Sequence, residues 1–240
     1  MSVNPNLDSS TQDYRRSLER ARLRRPSADS LKFSLASDEW WLLDEVFNPS
    51  FSPSTLAFLN MLELPVGGSL LEVGCGAGII SVKAALGGVD RVVAIDLNPQ
   101  AVKNTELNST LHHVEGRVES RVSNMFEEIA NDETFDLVFW HSNFVKAPAD
   151  IEGLSLYDQA FVDPGYQAHS AFLRQALAHV NPGGAAQLGF SSRGDYESLY
   201  TIAGECGVAL NQKVATTLAE PDGQIIYEIL EVVRAESEKT

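Results

Sequence analysis

The sequence predicts an α/β protein with a doubly wound, mostly parallel sheet, and three observations carry that prediction. Residues 69–73 (SLLEV), 91–95 (RVVAI), 135–140 (FDLVFW) and 185–190 (AAQLGF) are short, apolar and mostly β-branched or aromatic, the composition of strands buried on both faces. Stretches with helical punctuation lie between them, and such alternation marks parallel strands joined by crossover helices. The C-terminal part differs: 209–220 (ALNQKVATTLAE) and 225–233 (IIYEILEVV), separated by Pro221-Asp222-Gly223, read as an antiparallel hairpin at one sheet edge.

In chain order, residues 11–25 contain good helix formers with Ser9 and Ser10 as candidate caps. They read as a basic helix, either folded on the body or solvated as an arm. Trp40, Trp41, Phe47 and Phe51 form an aromatic group that either lines a pocket or packs this segment onto the core, and packing suits the tryptophans best. Pro53 and Ser54 open a helix to Met61; 77–86 forms a second, stopped by Gly87-Gly88; Pro99 opens a third to about Leu111. A strand covers 117–122. A helix from about Tyr166 to Val180 ends at Asn181-Pro182-Gly183-Gly184, and another from Tyr196 to Cys206 ends at Gly207. With no internal repeat and no low-complexity linker, the economical partition is an N-terminal helical extension, a basic arm or lid over 1–45, and one domain over 46–240.

The chain has 240 residues, 44% hydrophobic and 21% charged, a balance that excludes disordered and coiled-coil classes. Eighteen Lys and Arg against 33 Asp and Glu leave a net charge of -15, a field that repels phosphate backbones and anionic membrane surfaces. Bulk nucleic acid is therefore a poor partner. Residues 1–32 hold seven basic residues against four acidic ones, which leaves the remainder near -18. Cys75 and Cys206 are too few for a disulfide scaffold and lack metal-ligand spacing. With no apolar leader and no run approaching about 18 apolar residues, a cytoplasmic protein without a membrane anchor is expected. Nothing sets the oligomeric state, and a homodimer is compatible with the sequence.

The strongest chemical signal is LLEVGCGAGII. After the strand that ends at Val73, Gly74, Gly76 and Gly78 form a turn into a helix, and ligands of doubly wound sheets bind at this carboxyl edge. A dinucleotide fingerprint would place its third glycine at position 79, where the chain has Ile79. Here the glycines fall at every second position after Glu72. Such a turn lets a ligand approach the backbone, and the helix after it offers free N–H groups to a carboxylate. Eighteen residues beyond Gly78, Asp96 ends the next strand, where a carboxylate can accept both hydroxyls of a ribose. Asp96-Leu97-Asn98-Pro99 also reads as a helix N-cap, and both readings hold if Asn98 caps while Asp96 faces the ligand. A cofactor with a ribose and a small carboxylate follows.

Glu72-Val73-Gly74-Cys75-Gly76-Ala77-Gly78 followed by Asp96-Leu97-Asn98-Pro99 resembles the first two motifs of class I S-adenosylmethionine-dependent methyltransferases. Phe51-Ser52-Pro53, Ser123-Asn124-Met125-Phe126, FDLVFW with HSNF after it, and AFLRQALAHVNPGG before AAQLGF resemble the small-domain group, which includes glutamine N5-methyltransferases of release factors and N-methyltransferases of RNA bases. The resemblance covers roughly residues 47–195 and implies a Rossmann-like sheet of seven strands. It also implies S-adenosyl-L-methionine as cofactor and S-adenosyl-L-homocysteine as product. By the same resemblance Gly74, Cys75, Gly76 and Gly78 lie against the methionine and ribose parts, Asp96 binds the ribose hydroxyls and Leu97 faces adenine. Asn124 stands where relatives have Asp bonded to the adenine amino group, Met125 supplies the next backbone N–H, and Glu72 sits near the methionine amino group. Phe51, Pro53, Asn98 and His141 complete the expected cofactor contacts.

The chain departs from that group at its catalytic tetrapeptide, where relatives carry Asn or Asp, Pro, Pro, then Tyr or Phe. Here stand His141-Ser142-Asn143-Phe144. Phe144 keeps the aromatic plane, while the hydrogen-bonding cup for the target amine changes. His141 is either a general base, since its reference pKa is near neutrality, or a loop histidine that closes over the cofactor; Asn143 either touches the acceptor or forms the turn. His169 either reaches the pocket from the carboxyl edge of the sheet or lies on a helix surface, which suits it better, and His112 and His113 are expected to face solvent. With the acidic charge, the altered cup points to a small polar or amine-bearing acceptor methylated on nitrogen or oxygen. An RNA-base or protein side-chain N-methyltransferase and a cofactor-binding protein without transfer activity are the alternatives.

Overall fold

The computed structural model describes residues 7–25, 30–221 and 223–235. In chain order the elements are α1 (Leu7–Arg24), β1 (Ser30–Leu35), β2 (Asp38–Leu43), α2 (Ser54–Met61), β3 (Ser69–Val73), α3 (Ile79–Leu86), β4 (Arg91–Asp96), α4 (Pro99–Leu111) and β5 (Val118–Val122). Then follow β6 (Phe135–His141), β7 (Val145–Ala147), α5 (Leu156–Gln159), β8 (Val162–Pro164), α6 (Gln167–Gln175), β9 (Val180–Ser191), α7 (Tyr196–Glu205), β10 (Val208–Glu220) and β11 (Gly223–Arg234).

Seven strands form the central sheet in the order β10-β11-β9-β6-β3-β4-β5. The five from β9 to β5 are parallel, and β11 runs antiparallel to both its neighbours. Period-two alternation explains why both faces are buried. Leu70, Val92, Ala94, Leu137 and Phe139 face one layer with α2, α3 and α4. Leu71, Val73, Val93, Ile95, Val138 and Trp140 face the other, with Phe172 of α6 and Leu199 of α7. Strand order reverses between β3 and β6, and the chain's glycine turn and His141 both leave the sheet at that switch point.

Several boundaries differ from the sequence reading for identifiable reasons. α1 begins at Leu7, so Ser9 and Ser10 lie inside its first turn. It is no solvated arm: Tyr14 and Leu18 pack on Val145, Ala147 and Val162, anchoring the helix on the parallel pair β7–β8. α3 starts at Ile79 because Gly78, at φ 76°, occupies its N-cap in the left-handed region. α6 is shorter than expected, and Ala176–His179 is a tighter turn. Asn181 to Gly184, read as a helix stop, belongs to β9 and fills the register break opposite Phe135 and Leu137.

The sequence reading assigned no strands before residue 46, yet β1 and β2 pair antiparallel from Ser30↔Leu43 to Leu35↔Asp38. Trp40 is fully buried, with its indole N–H donated to the Leu35 carbonyl at 2.9 Å. The hairpin is stitched to α4 by buried amides. Asn108 accepts from the Trp41 N–H at 2.8 Å and donates to the carbonyls of Trp41 and Ala77; Asn104 accepts from the Leu43 N–H and donates to the Trp41 carbonyl. Both side chains are fully buried.

Asn104→Ala and Asn108→Ala should each cost about 1–3 kcal/mol in urea unfolding, because they strand buried backbone groups of β2. A loss no larger than that of an exposed alanine substitution would show that β2 is not anchored this way.

Candidate functional site

A cleft of about 680 Å³ opens over the carboxyl ends of β3, β4 and β6. Its floor is the glycine turn. Gly74 and Gly76 adopt φ of 68° and 54°, and a Cβ at Gly76 would meet nothing within 4 Å, so the backbone there is open to close approach by a ligand. Gly78 has another job. A Cβ there would come within 2.8 Å of the Thr105 hydroxyl and 2.9 Å of the Thr105 Cα, so its bareness lets α3 start against α4, and it does not line the cleft.

Asp96 accepts the Gly76 N–H on one oxygen at 2.9 Å and the Asn98 N–H on the other at 2.8 Å. A carboxylate has about four acceptor sites, so each oxygen retains acceptor capacity, and Asp96 lines the cleft. Burial pushes its pKa up against the pull of those two N–H groups. Asn98 accepts from the Gln100 N–H at 3.0 Å as the N-cap of α4, and its amide donates to the Glu45 carbonyl at 2.7 Å. Glu72 is 2% exposed and accepts from the Ser81 hydroxyl; burial pushes its pKa up to about 8. Cys75 receives a hydrogen bond from the Thr105 hydroxyl, and burial raises its thiol pKa, which keeps it neutral.

Leu97, 41% exposed, offers an apolar surface at the rim. Asn124 lines the cleft and donates from its amide nitrogen to Glu127 at 3.0 Å, and Met125 takes φ 51°, held by the Ser123 hydroxyl on its carbonyl. Phe51 lies at the opposite rim. Pro53 precedes α2 in its N-cap and does not line the cleft.

The segment after β6 closes the far wall. His141 packs edge-on against Phe58 at 4.6 Å and stacks with Phe144 at 5.6 Å; burial drives its pKa down to about 4, so the imidazole is neutral at physiological pH. Ser142 turns inward and donates to the Gly189 carbonyl at 2.9 Å. Asn143 donates to the carbonyls of Gln159 and Val162 at 2.7 and 3.0 Å, while its buried Oδ1 has no partner among the described residues. Tyr227, Glu220 and Arg193, which sequence reading missed, also line this end. Their separation along the chain hid them, since only pairing of β9 with β11 brings them together. The Tyr227 hydroxyl and the Arg193 guanidinium both donate to Glu220; burial and that hydrogen bond push the Tyr227 pKa up to about 12. From α1 come Ser17 and Arg20.

Other sequence candidates fall elsewhere. His169 is fully buried rather than on a helix surface: its Nδ1 meets Asp163 at 2.7 Å, and its ring packs on Trp140 and Tyr166. His112 packs on Trp40 at 4.3 Å and bonds the Glu39 carbonyl, while His113 is exposed. No group of His, Cys, Asp and Glu among the described residues could hold a metal ion, and no described helix is long and apolar enough to cross a membrane.

The seven-stranded sheet with its reversed edge strand, the glycine turn and the acidic residue ending the next strand are the arrangement of class I S-adenosylmethionine-dependent methyltransferases of the small-domain kind. The open backbone at Gly76, the free acceptor sites of Asp96 and the buried Glu72 fit that cofactor.

More particularly, the family model of ribosomal protein L11 methyltransferase matches residues 53–148. The ribosomal protein L11 methyltransferase of Janthinobacterium sp. (strain Marseille) is 30% identical over 162 residues, 66% of this chain and 50% of that protein. A putative protein N5-glutamine methyltransferase of Methanocaldococcus jannaschii is 27% identical over 146 residues, 60% of this chain and 71% of that protein. The solved tRNA m1G37 methyltransferase of M. jannaschii shares the fold, with a TM-score of 0.57 at 15% identity over 88% of this chain and 59% of that one. The chain spans about half the length of the L11 relative from Janthinobacterium.

These findings correct the expected acceptor. The relatives are named for protein and tRNA, both macromolecules, so the small-molecule acceptor is not upheld. Net charge misled because it sums the whole surface, whereas an acceptor meets one patch of it; α1 presents Arg15, Arg16 and Arg22 outward from an acidic body.

S-adenosylhomocysteine should raise the thermal midpoint, and Asp96→Ala should remove most of that shift. An undiminished shift in the variant would show that Asp96 does not hold the ligand.

Proposed function

We propose that this chain transfers the methyl group of S-adenosylmethionine to a nitrogen of a protein, with Glu72, the glycine turn, Asp96, Leu97, Asn124 and Met125 holding the cofactor. One observation carries the reading: on the cleft wall the neutral imidazole of His141 lies against the Phe144 ring at 5.6 Å. The imidazole supplies a hydrogen-bond acceptor beside an aromatic plane, while Asn143 holds the segment through the Gln159 and Val162 carbonyls. Such an acceptor binds an N–H of the target while leaving its lone pair free.

When bound, the cofactor supplies a methyl group already activated by its sulfonium, so the protein's task is alignment. A group with a pKa of about 4 is a poor store for an amine's proton at neutral pH. His141 therefore acts by accepting a hydrogen bond and orienting the nitrogen, which must arrive uncharged. Glu72, protonated in the free protein at neutral pH, ionises as the cofactor's ammonium group binds.

The choice of protein over RNA rests on the L11 family match. Ribosomal protein L11 is the first acceptor to try. In this reading the N-terminal arm contributes to a wall of the cleft through Ser17, Arg20 and Glu45, which line it.

Incubation with labelled S-adenosylmethionine should put the methyl group on ribosomal protein L11, located by mass, and not on tRNA; label in tRNA alone would refute the proposal. His141→Ala should lower kcat/KM about 100-fold, whereas His141→Asn, which keeps an acceptor, should retain more activity. Loss of equal size in both would assign His141 a different role.

Glu72 also predicts two pH effects of opposite sense. Its folded pKa of about 8 lies above the ordinary 4.5, so ligand-free stability falls as pH rises between those values. Glu72→Gln should therefore gain stability over the natural chain as pH rises toward 8. Cofactor affinity of the natural chain should instead climb over the same range and level off above 8. Calorimetry that finds no proton release on binding at pH 7 would contradict this coupling.

A further inference from the structure

The two edges of the central sheet are built differently. β5 is five residues long and carries Glu119 and Arg121, and shortness with charge is how natural edges avoid pairing with other chains. β10 is thirteen residues long and outermost at the other side. From Val214 to Ala219 it reads Val-Ala-Thr-Thr-Leu-Ala, without charge or proline, and Ala215, Thr217 and Ala219 are exposed. An edge of this length and composition has the features of a template for another strand.

Its position adds to this. β9 ends at Ser191, opposite Tyr227, but β10 and β11 stay paired from Thr217↔Ile226 to Glu220↔Gly223. The hairpin thus overhangs the carboxyl edge of the sheet by about 13 Å at the usual rise per residue. Glu220 and Pro221 at its tip line the cleft, and Arg193 and Tyr227 fix that tip through the Glu220 carboxylate.

We propose that the outer edge of β10 from Val214 to Ala219 docks an extended segment of the protein acceptor as an added strand, which leads the target residue past Glu220 into the cleft. The inference rests on the reading of a protein acceptor. Strand addition draws affinity from main-chain hydrogen bonds and specificity from alternate side chains. A second copy of the chain, seated edge to edge on β10, is the rival occupant, and the oligomeric state separates the two. A nucleic acid finds no cation along 214–219, and Lys213 is paired with Glu63 at 2.9 Å.

The test uses the full chain, S-adenosylhomocysteine and recombinant ribosomal protein L11. Amide hydrogen exchange over 214–219 should slow when L11 is added. Ala215→Lys with Thr217→Lys should raise KM for L11 about tenfold, with kcat and the S-adenosylhomocysteine thermal shift unchanged, the latter reporting an intact fold. Unchanged exchange over 214–219 overturns the inference whether or not methyl is transferred. So does an unchanged KM, or a dimer of the natural chain that the double variant splits. Absence of label in L11 with the natural chain is a separate result and counts against the proposed function alone.

Discussion

The hydrogen bonds that Asn98, Asn104 and Asn108 make with the backbone of residues 41–45 are the constraint on which the cleft depends. A buried amide without partners is costly, and here each of these three asparagines finds them in the backbone of Trp41, Leu43 or Glu45. Asn108 reaches the Ala77 carbonyl as well, so one side chain ties the N-terminal hairpin, α4 and the glycine turn together. Behind that turn, Thr105 fills the space that the missing Cβ of Gly78 leaves. The glycine turn and the Glu45–Ser52 wall are thus set by the same helix.

Electrostatics then suit the floor to a cationic ligand. Glu72 and Asp96 end neighbouring strands, and burial raises the pKa of both, so each is short of positive charge until a ligand brings it. The far wall is arranged the opposite way. His141 sits among Phe58 and Phe144 and stays neutral, and the Tyr227 phenol stays protonated. At the same end Arg193 and Glu220 pair their opposite charges.

The strands 69–73, 91–95 and 135–140 were legible because both-face burial leaves an apolar run that needs no partner to be recognised. Helix starts with Pro99 and Asn98 were legible because caps are local chemistry. The glycine turn and Asp96 fall together at one cleft for a related reason: each lies within a few residues of a strand end, so spacing along the chain stands in for distance in space. β1 and β2 were missed because their sequences, SLKFSL and DEWWLL, carry weak alternation and are held by asparagines more than 60 residues away.

By itself, then, the sequence determined the fold class and the residues that stand at the ends of its strands, because these follow from local periodicity and caps. Only the tertiary structure decided what surrounds them. That His141 is neutral follows from Phe58 packing on it; that His169 is core rather than surface follows from its burial beside Asp163 and Trp140. The Arg193, Glu220 and Tyr227 cluster exists because β11 runs back beside β9. Burial and desolvation arise from groups distant in sequence, and no reading of neighbours along the chain contains them.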